Sequence, residues 1–210
     1  LHINGDPYTI ITALGAQGSD TGTDLQGIQN NTTGHYALGS NIDAGLTASW
    51  NSIEGEPEAF AGFAPITNFT GTFNGLGHEI SDLIIDRPNK NLTGLFGIIN
   101  NASLSNIGLR GGEVTGQRQT GSLVGEMGNN SNVTNAFATG KVTGTRWVGG
   151  LVGNIQGNSN VTNAYATGDV VGTGSITPTP SVTFTGGLVG EMGNNSNVTN
   201  AYATGNVTGD

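Results

Sequence analysis

The chain has no cysteine. Neither a disulfide framework nor a thiolate metal centre can hold it, and an extended fold stable without disulfides is compatible with export. Six Lys and Arg stand against fifteen Asp and Glu, for a net charge of −9. A chain so poor in cations is a bad match for nucleic acid or an anionic membrane. No apolar run approaches the ~20 residues that cross a bilayer, so membrane insertion is not expected. Sustained apolar spacing at three and four residues is also missing, which excludes long helices. There is no initiator Met and no leader peptide, so the sequence reads as a mature or trimmed segment. Hydrophobic residues make up only 34% and glycines number 37. Taken alone, that composition leans towards disorder.

Repetition overrules it. Val133-Thr134-Asn135-Ala136-Phe137-Ala138-Thr139-Gly140 returns at 161–168 and at 198–205, each time with Tyr in place of Phe. Each copy follows a glycine-bracketed apolar step: Ser122-Leu123-Val124-Gly125, Gly150-Leu151-Val152-Gly153 and Gly187-Leu188-Val189-Gly190. Leu95, Leu123 and Leu151 follow one another at 28 residues, and Leu188 comes 37 later because of an insertion between Gly172 and Thr185. A unit this short cannot bury its own apolar groups and is stable only when stacked, so the pattern specifies a solenoid. Val, Thr, Tyr and Phe bounded by Gly and Asn are strand and turn chemistry. The expected fold is therefore all-β: a parallel β-helix of about seven turns, each of about 28 residues in three short strands. Val133/Val161/Val198 and Val142/Val170/Val207 should stack inside, and Asn135/Asn163/Asn200 should form an amide ladder at a corner.

Residues 1–93 read as less regular turns of the same solenoid, and 94–210 as repeat turns at 94–121, 122–149, 150–186 and 187–210. In the first part, strands are expected at Tyr8–Ile11, His35–Asp43, Phe69–Gly75 and Ile80–Asp86, with a helical turn over Asp24–Asn30 capped by Asp24.

The Gly-Leu-Val-Gly steps with trailing Asn-Ala-Tyr-Ala-Thr-Gly blocks resemble the GLUG repeat of large bacterial surface proteins. His35–Asp43, Gly62–Ile66, Phe69–Gly75, Gly77–Ile80 and Gly94–Gly97 are similar to segments of filamentous-haemagglutinin-like adhesins. The resemblance spans roughly residues 8 to 209. It implies a right-handed parallel β-helix, secretion to the bacterial cell surface, and an adhesive or matrix role. GLUG repeats also accompany some secreted metallopeptidases. The nearest local match here, His78-Glu79-Ile80-Ser81-Asp82, has Asp where a zinc peptidase needs its second His, so no catalytic residue carries over.

Other chemistry is thin. His2, His35 and His78 lack metal-ligand spacing, and neither a phosphate loop nor a nucleophile elbow occurs. Glu54, Glu56 and Glu58 read as a solvated acidic loop rather than a calcium site, as does Asp20–Asp24. No cofactor and no metal are expected. What remains is surface. If Ala136 and Ala138 face inward, period two sends Phe137, Tyr165 and Tyr202 outward as an aromatic ladder. Such a strip can stack structurally or contact sugars, with Asn and Thr supplying hydrogen bonds. Trp147, beside Arg146 in a Gly144–Gly149 corner that reads as exposed, is a further contact candidate, as is the loop at Thr177-Pro178-Thr179-Pro180. Asn-x-Ser/Thr sequons at Asn68, Asn91, Asn132, Asn160 and Asn197 partly follow from the repeat itself.

The sequence therefore points to a non-enzymatic extracellular adhesin or surface-filament segment. Its expected partner is a cell-surface or matrix glycan or protein receptor, with end-to-end or lateral homo-assembly as a further expectation. The rivals are a carbohydrate-processing β-helix enzyme and a self-assembling structural fibre. Carboxylates gathered with Arg87, Arg110 or Arg118 in one groove would favour the enzyme.

Overall fold

The computed structural model describes residues 1–174, 183–193 and 195–209. The chain is a parallel β-helix. Thr9, Tyr36, Phe73, Leu104, Val133, Val161 and Val198 pair in register from layer to layer, giving seven stacked turns. Neighbouring layers lie about 4.8 Å apart, the ordinary strand separation. The long sheet that carries this column runs through both the irregular and the repeat half, so the two form one coil.

Among the described residues the repeat turns 94–121, 122–149 and 150–186 each hold four strands rather than the expected three, and 187–209 holds three. In one turn they are Val124–Gly128, Asn132–Ala138, Lys141–Gly144 and Arg146–Gly149. Residues 146–149, expected as a corner, are a strand. In the structure they pair with Arg118–Gly121 of the preceding turn and Thr185–Gly186 of the next. The longer strands also bend sharply. Asn106, Asn135, Asn163 and Asn200 all sit in the left-handed region with φ between 51° and 53°, which Asn tolerates better than most residues.

Side chains of like kind stack in columns inside the coil. Leu95, Leu123 and Leu151 are fully buried, as are Val124, Val152, Val133, Val161, Val142 and Val170. Val207, in the seventh layer, is 48% exposed. Towards the N-terminus the aliphatic columns give way to rings: Phe69 lies 4.9 Å from Phe96, and Phe96 lies 5.5 Å from Phe73. A second buried column is polar. The main-chain N–H of Ser131 donates to Ser159 Oγ at 3.1 Å, and that of Ser159 donates to Ser196 Oγ at 3.3 Å. These hydroxyls satisfy main-chain donors that the corner leaves without a strand partner.

Glycine governs how closely the sheets approach. A β-carbon built on Gly153 would lie 2.5 Å from Thr120 N and 2.6 Å from Gly125 O. The strand Val152–Ile155 thus meets the main chain of Arg118–Gly121 and Val124–Gly128 with no side chain between them.

The first half follows the expectations in outline and departs in detail. His35–Asp43 is two strands, His35–Leu38 and Ile42–Asp43, and Ile80–Asp86 is likewise divided, into Glu79–Ser81 and Ile84–Asp86. The second division falls at Asp82, which has φ 57°. The helical turn is a 3₁₀ segment, Gln26–Asn30, and Asp24 Oδ1 accepts from Gly27 N at 2.7 Å. Both 37-residue intervals hold insertions. Between Tyr36 and Phe73 comes an antiparallel hairpin, Ser52–Ile53 with Glu56–Phe60. Between Val161 and Val198 the extra residues include 175–182, so the loop around Thr177–Pro180 lies outside the described residues.

Candidate contact face

The outer side of the long sheet carries the chemistry. Ala136, Ala138, Ala164 and Ala166 are at most 2% exposed and point into the coil. The alternation sends Phe137, Tyr165 and Tyr202 outward, in register. Their ring centroids are 5.0 and 5.1 Å apart, with interplanar angles of 3° and 5°. The spacing is that of the strands themselves, so the backbone sets the stack and the rings follow it.

Beside the rings runs the amide ladder. Asn106 Nδ2 donates to Asn74 Oδ1 at 3.0 Å, Asn135 to Asn106 at 2.9 Å, Asn163 to Asn135 at 3.0 Å and Asn200 to Asn163 at 3.2 Å. A second ladder joins Asn197, Asn160 and Asn132 at 3.1 and 3.2 Å. The sequence gives its residues only as sequons; the Nδ2 atoms of Asn160 and Asn197 donate within the ladder, while Asn132 Nδ2 donates to Asn130 O at 3.4 Å. Thr134, Thr162 and Thr199 stand in register between the two ladders.

Stacking face to face has a chemical cost. Each ring covers its neighbour's face, so the strip offers ring edges and tyrosine hydroxyls rather than the open faces on which sugars usually dock. The first ring is closed from the other side as well. Phe137 leans over Gly108, where any side chain would collide with it, and the Arg110 guanidinium lies 5.8 Å from the ring centroid. Tyr202, 55% exposed, is the most open of the three.

Arg110 is held by a bidentate pair with Glu79, at 2.6 and 2.8 Å. The sequence gives no sign of this pair, because its members lie 31 residues apart in adjacent, unequal turns. The hydrogen bond from Arg110, aided by its charge, holds the Glu79 carboxyl below its ordinary value despite slight desolvation. A depressed acid adds stability that is present above its unfolded pKa and is lost as pH falls through the folded value. Because the pair is exposed, that contribution is small. NMR titration of the Glu79 carboxyl carbon should give a midpoint below 4.5, the reference value. Arg110→Ala should bring the midpoint back up, and an unmoved midpoint would mean the pair does not persist in solution.

Trp147 is half-buried rather than exposed. The Arg146 guanidinium lies 4.2 Å from its ring centroid, and its Nε1 is buried with no hydrogen-bond partner among the described residues. Its backbone is left-handed, φ 56°, an uncommon state for a bulky residue. Trp147 is one layer from Arg118 and Gln119, on the short sheet and away from the aromatic ladder, so the structure does not gather the four contact candidates into one site.

The acidic groups are also placed. Ser19 and Thr21 hydroxyls donate to Asp24 Oδ2, at 2.5 and 2.8 Å, and Gly27 N to Oδ1. Asp24 therefore ties its own loop together. Glu54, Glu56 and Glu58 are exposed on the inserted hairpin. No group of three metal-ligating side chains comes together among the described residues.

Segments 116–143, 147–171 and 185–208 match the family model described as the GLUG motif. The chain carries three GLUG motifs. Each spans most of one turn of the coil, from the short sheet round to the valine column, and together they cover the layers that hold Phe137, Tyr165 and Tyr202. Over 127 residues the chain is 40% identical to halomucin of Haloquadratum walsbyi, an overlap of 55% of this chain and 1% of that protein. A crystal structure of a protein from Bacteroides ovatus, named as a candidate immunoglobulin A1 protease, superposes with a TM-score of 0.63. It is 20% identical, over 97% of this chain and 58% of the other. At that identity the likeness concerns the fold alone. The GLUG turns are the most regular part of a coil whose earlier turns share its architecture.

Proposed function

We propose that this chain is a segment of a non-enzymatic extracellular surface protein, a stiff β-helix that holds weak contact groups at fixed spacing. One observation carries the reading: the same Asn, Thr and aromatic groups recur in register on one outer face. Such a face suits a long polymeric partner better than a single small substrate. Repeated weak contacts on a rigid spacer gain strength through effective concentration rather than through any one pocket. The GLUG motifs and the halomucin relative support a surface location, and the partner we favour is a cell-surface or matrix glycan. Contact would run along ring edges, the Tyr165 and Tyr202 hydroxyls and the amide ladders, with the ring faces already occupied.

A glycan array tests this directly. The purified protein should bind extended glycans in preference to mono- and disaccharides. A Phe137→Ala, Tyr165→Ala, Tyr202→Ala variant with an unchanged circular dichroism spectrum should lose most of that binding. Equal binding by both proteins would remove the aromatic strip from recognition. No binding by either would leave the ladder a purely structural stack and the chain a spacer or fibre segment.

A further inference from the structure

Away from the GLUG face, the inserted hairpin leans over the coil and encloses a groove of about 350 Å³. Ile53, Ala59 and Ala61 form one wall, and the turn Arg87-Pro88-Asn89-Lys90 forms the other. Both walls are fixed. Lys90 N donates to Arg87 O at 2.9 Å, closing a turn with Pro at its second position, and Gln117 N donates to Lys90 O at 2.8 Å. On the hairpin side, Ala61 N donates to Asn51 O at 2.9 Å, and Asp86 N to Ala61 O at 3.1 Å. The cavity is thus present before any ligand arrives.

Its charges set it apart. The chain has six Lys and Arg. Arg110 and Lys141 are ion-paired with Glu79 and Glu113, and Arg146 is stacked on Trp147. Two of the remaining three, Arg87 and Lys90, converge on this groove. Arg87 is half-buried, which pulls its guanidinium below its ordinary pKa while leaving it cationic. Its Nε donates to Phe63 O at 3.2 Å and its Nη2 reaches Gly62 O at 3.5 Å, both of them neutral acceptors. Among the described residues no carboxylate lies within ion-pair distance of either cation. Asp86 and Glu56 also line the groove beside Arg87, the gathering that the rival enzyme reading calls for, and both are exposed. A partly desolvated guanidinium bonded only to neutral oxygens has donors to spare, and an anionic group that offers two oxygens, such as a carboxylate or sulfate, satisfies them best.

We propose that the groove between the Ser52–Phe60 hairpin and the Arg87–Lys90 turn binds an acidic sugar unit, its carboxylate or sulfate on Arg87 and Lys90 and its ring against Ile53, Ala59 and Ala61. Apolar wall and paired cations together match a saccharide ring that bears one anionic group. The site stands apart from the aromatic strip and does not depend on it.

Chemical-shift titration with glucuronate, glucose 6-sulfate and glucose tests the assignment. The two anions should bind, with shifts confined to residues 53–61 and 86–90, and glucose should bind roughly tenfold more weakly or not at all. Affinity for the anions should fall as NaCl is raised. Lys90→Gln, at an exposed position, and Ala59→Trp, which fills the groove, should each weaken binding several-fold, while Arg118→Gln should not. Arg87→Gln should abolish it, and its spectrum elsewhere reports whether the coil survives. Glucose binding as well as glucuronate, binding untouched by Lys90→Gln and Ala59→Trp, or no anion binding at all would each overturn the assignment. Release of reducing ends from an acidic oligosaccharide would also overturn it, in favour of a catalytic groove built on Glu56 and Asp86.

Discussion

Gly153→Ala should lower the stability of the coil by about 3 kcal/mol, at the upper end of the usual range for overpacking. The added methyl would lie 2.5 Å from Thr120 N, 2.6 Å from the Gln119 carbonyl carbon and 2.6 Å from Gly125 O. All three are main-chain atoms in strands hydrogen-bonded on both sides, so no rotamer change relieves the collision. The two sheets must separate, and separation in one turn disturbs its neighbours because the glycines at 125, 153 and 190 are stacked. The internal control is Gly193→Ala, where an added methyl meets nothing within 4 Å. Urea unfolding of the two variants should give a much lower midpoint for the first and an unchanged one for the second. Equal midpoints would mean that the close approach of the sheets is not what requires glycine.

Phe96→Ala should cost about 4 kcal/mol, the sum of lost transfer energy and an unfilled cavity. Phe96 is fully buried and is the ring shared by two aromatic contacts, at 4.9 Å to Phe69 and 5.5 Å edge-on to Phe73. It also sits at the seam between the ring-filled early turns and the aliphatic repeat turns. Stacked turns interact mainly with nearest neighbours. The loss should therefore be local, with amide exchange accelerating first in the layers of Phe73, Leu104 and Val124. Leu46→Ala, at a position 71% exposed, should change stability by no more than about 0.5 kcal/mol. Uniform acceleration along the whole chain would show that the coil unfolds as one unit instead.

Much of this was legible in the sequence, because a strict repeat converts spacing into register. The seven layers, the buried Val columns, the Asn135/Asn163/Asn200 ladder and the outward turn of Phe137 all follow once like residues are placed on like. What stayed hidden is what periodicity does not encode. The fourth strand of the turns 94–121, 122–149 and 150–186 is hidden because segments such as Arg146–Gly149 have no apolar alternation. Gly125 and Gly153 read as brackets around Leu and Val, yet their function is to let main chains touch. The Glu79–Arg110 pair and the Arg87–Lys90 groove arise where turns are unequal, so no constant offset leads to them. Trp147 looked exposed because its corner is rich in Gly, whereas the fold lays Arg146 across its ring.

The amide ladders have a sense of direction. In both, the later asparagine gives its Nδ2 hydrogen to the Oδ1 of the earlier one, so each layer passes a free oxygen to the next. Such a chain of aligned amides polarises along its length, and the coil becomes a vector with two chemically different ends. Any turn that continues it need only meet the same oxygen with the same hydrogen. Whole turns can thus be duplicated or deleted without redesigning the junction, and length becomes a trait that recombination can adjust in units of one repeat.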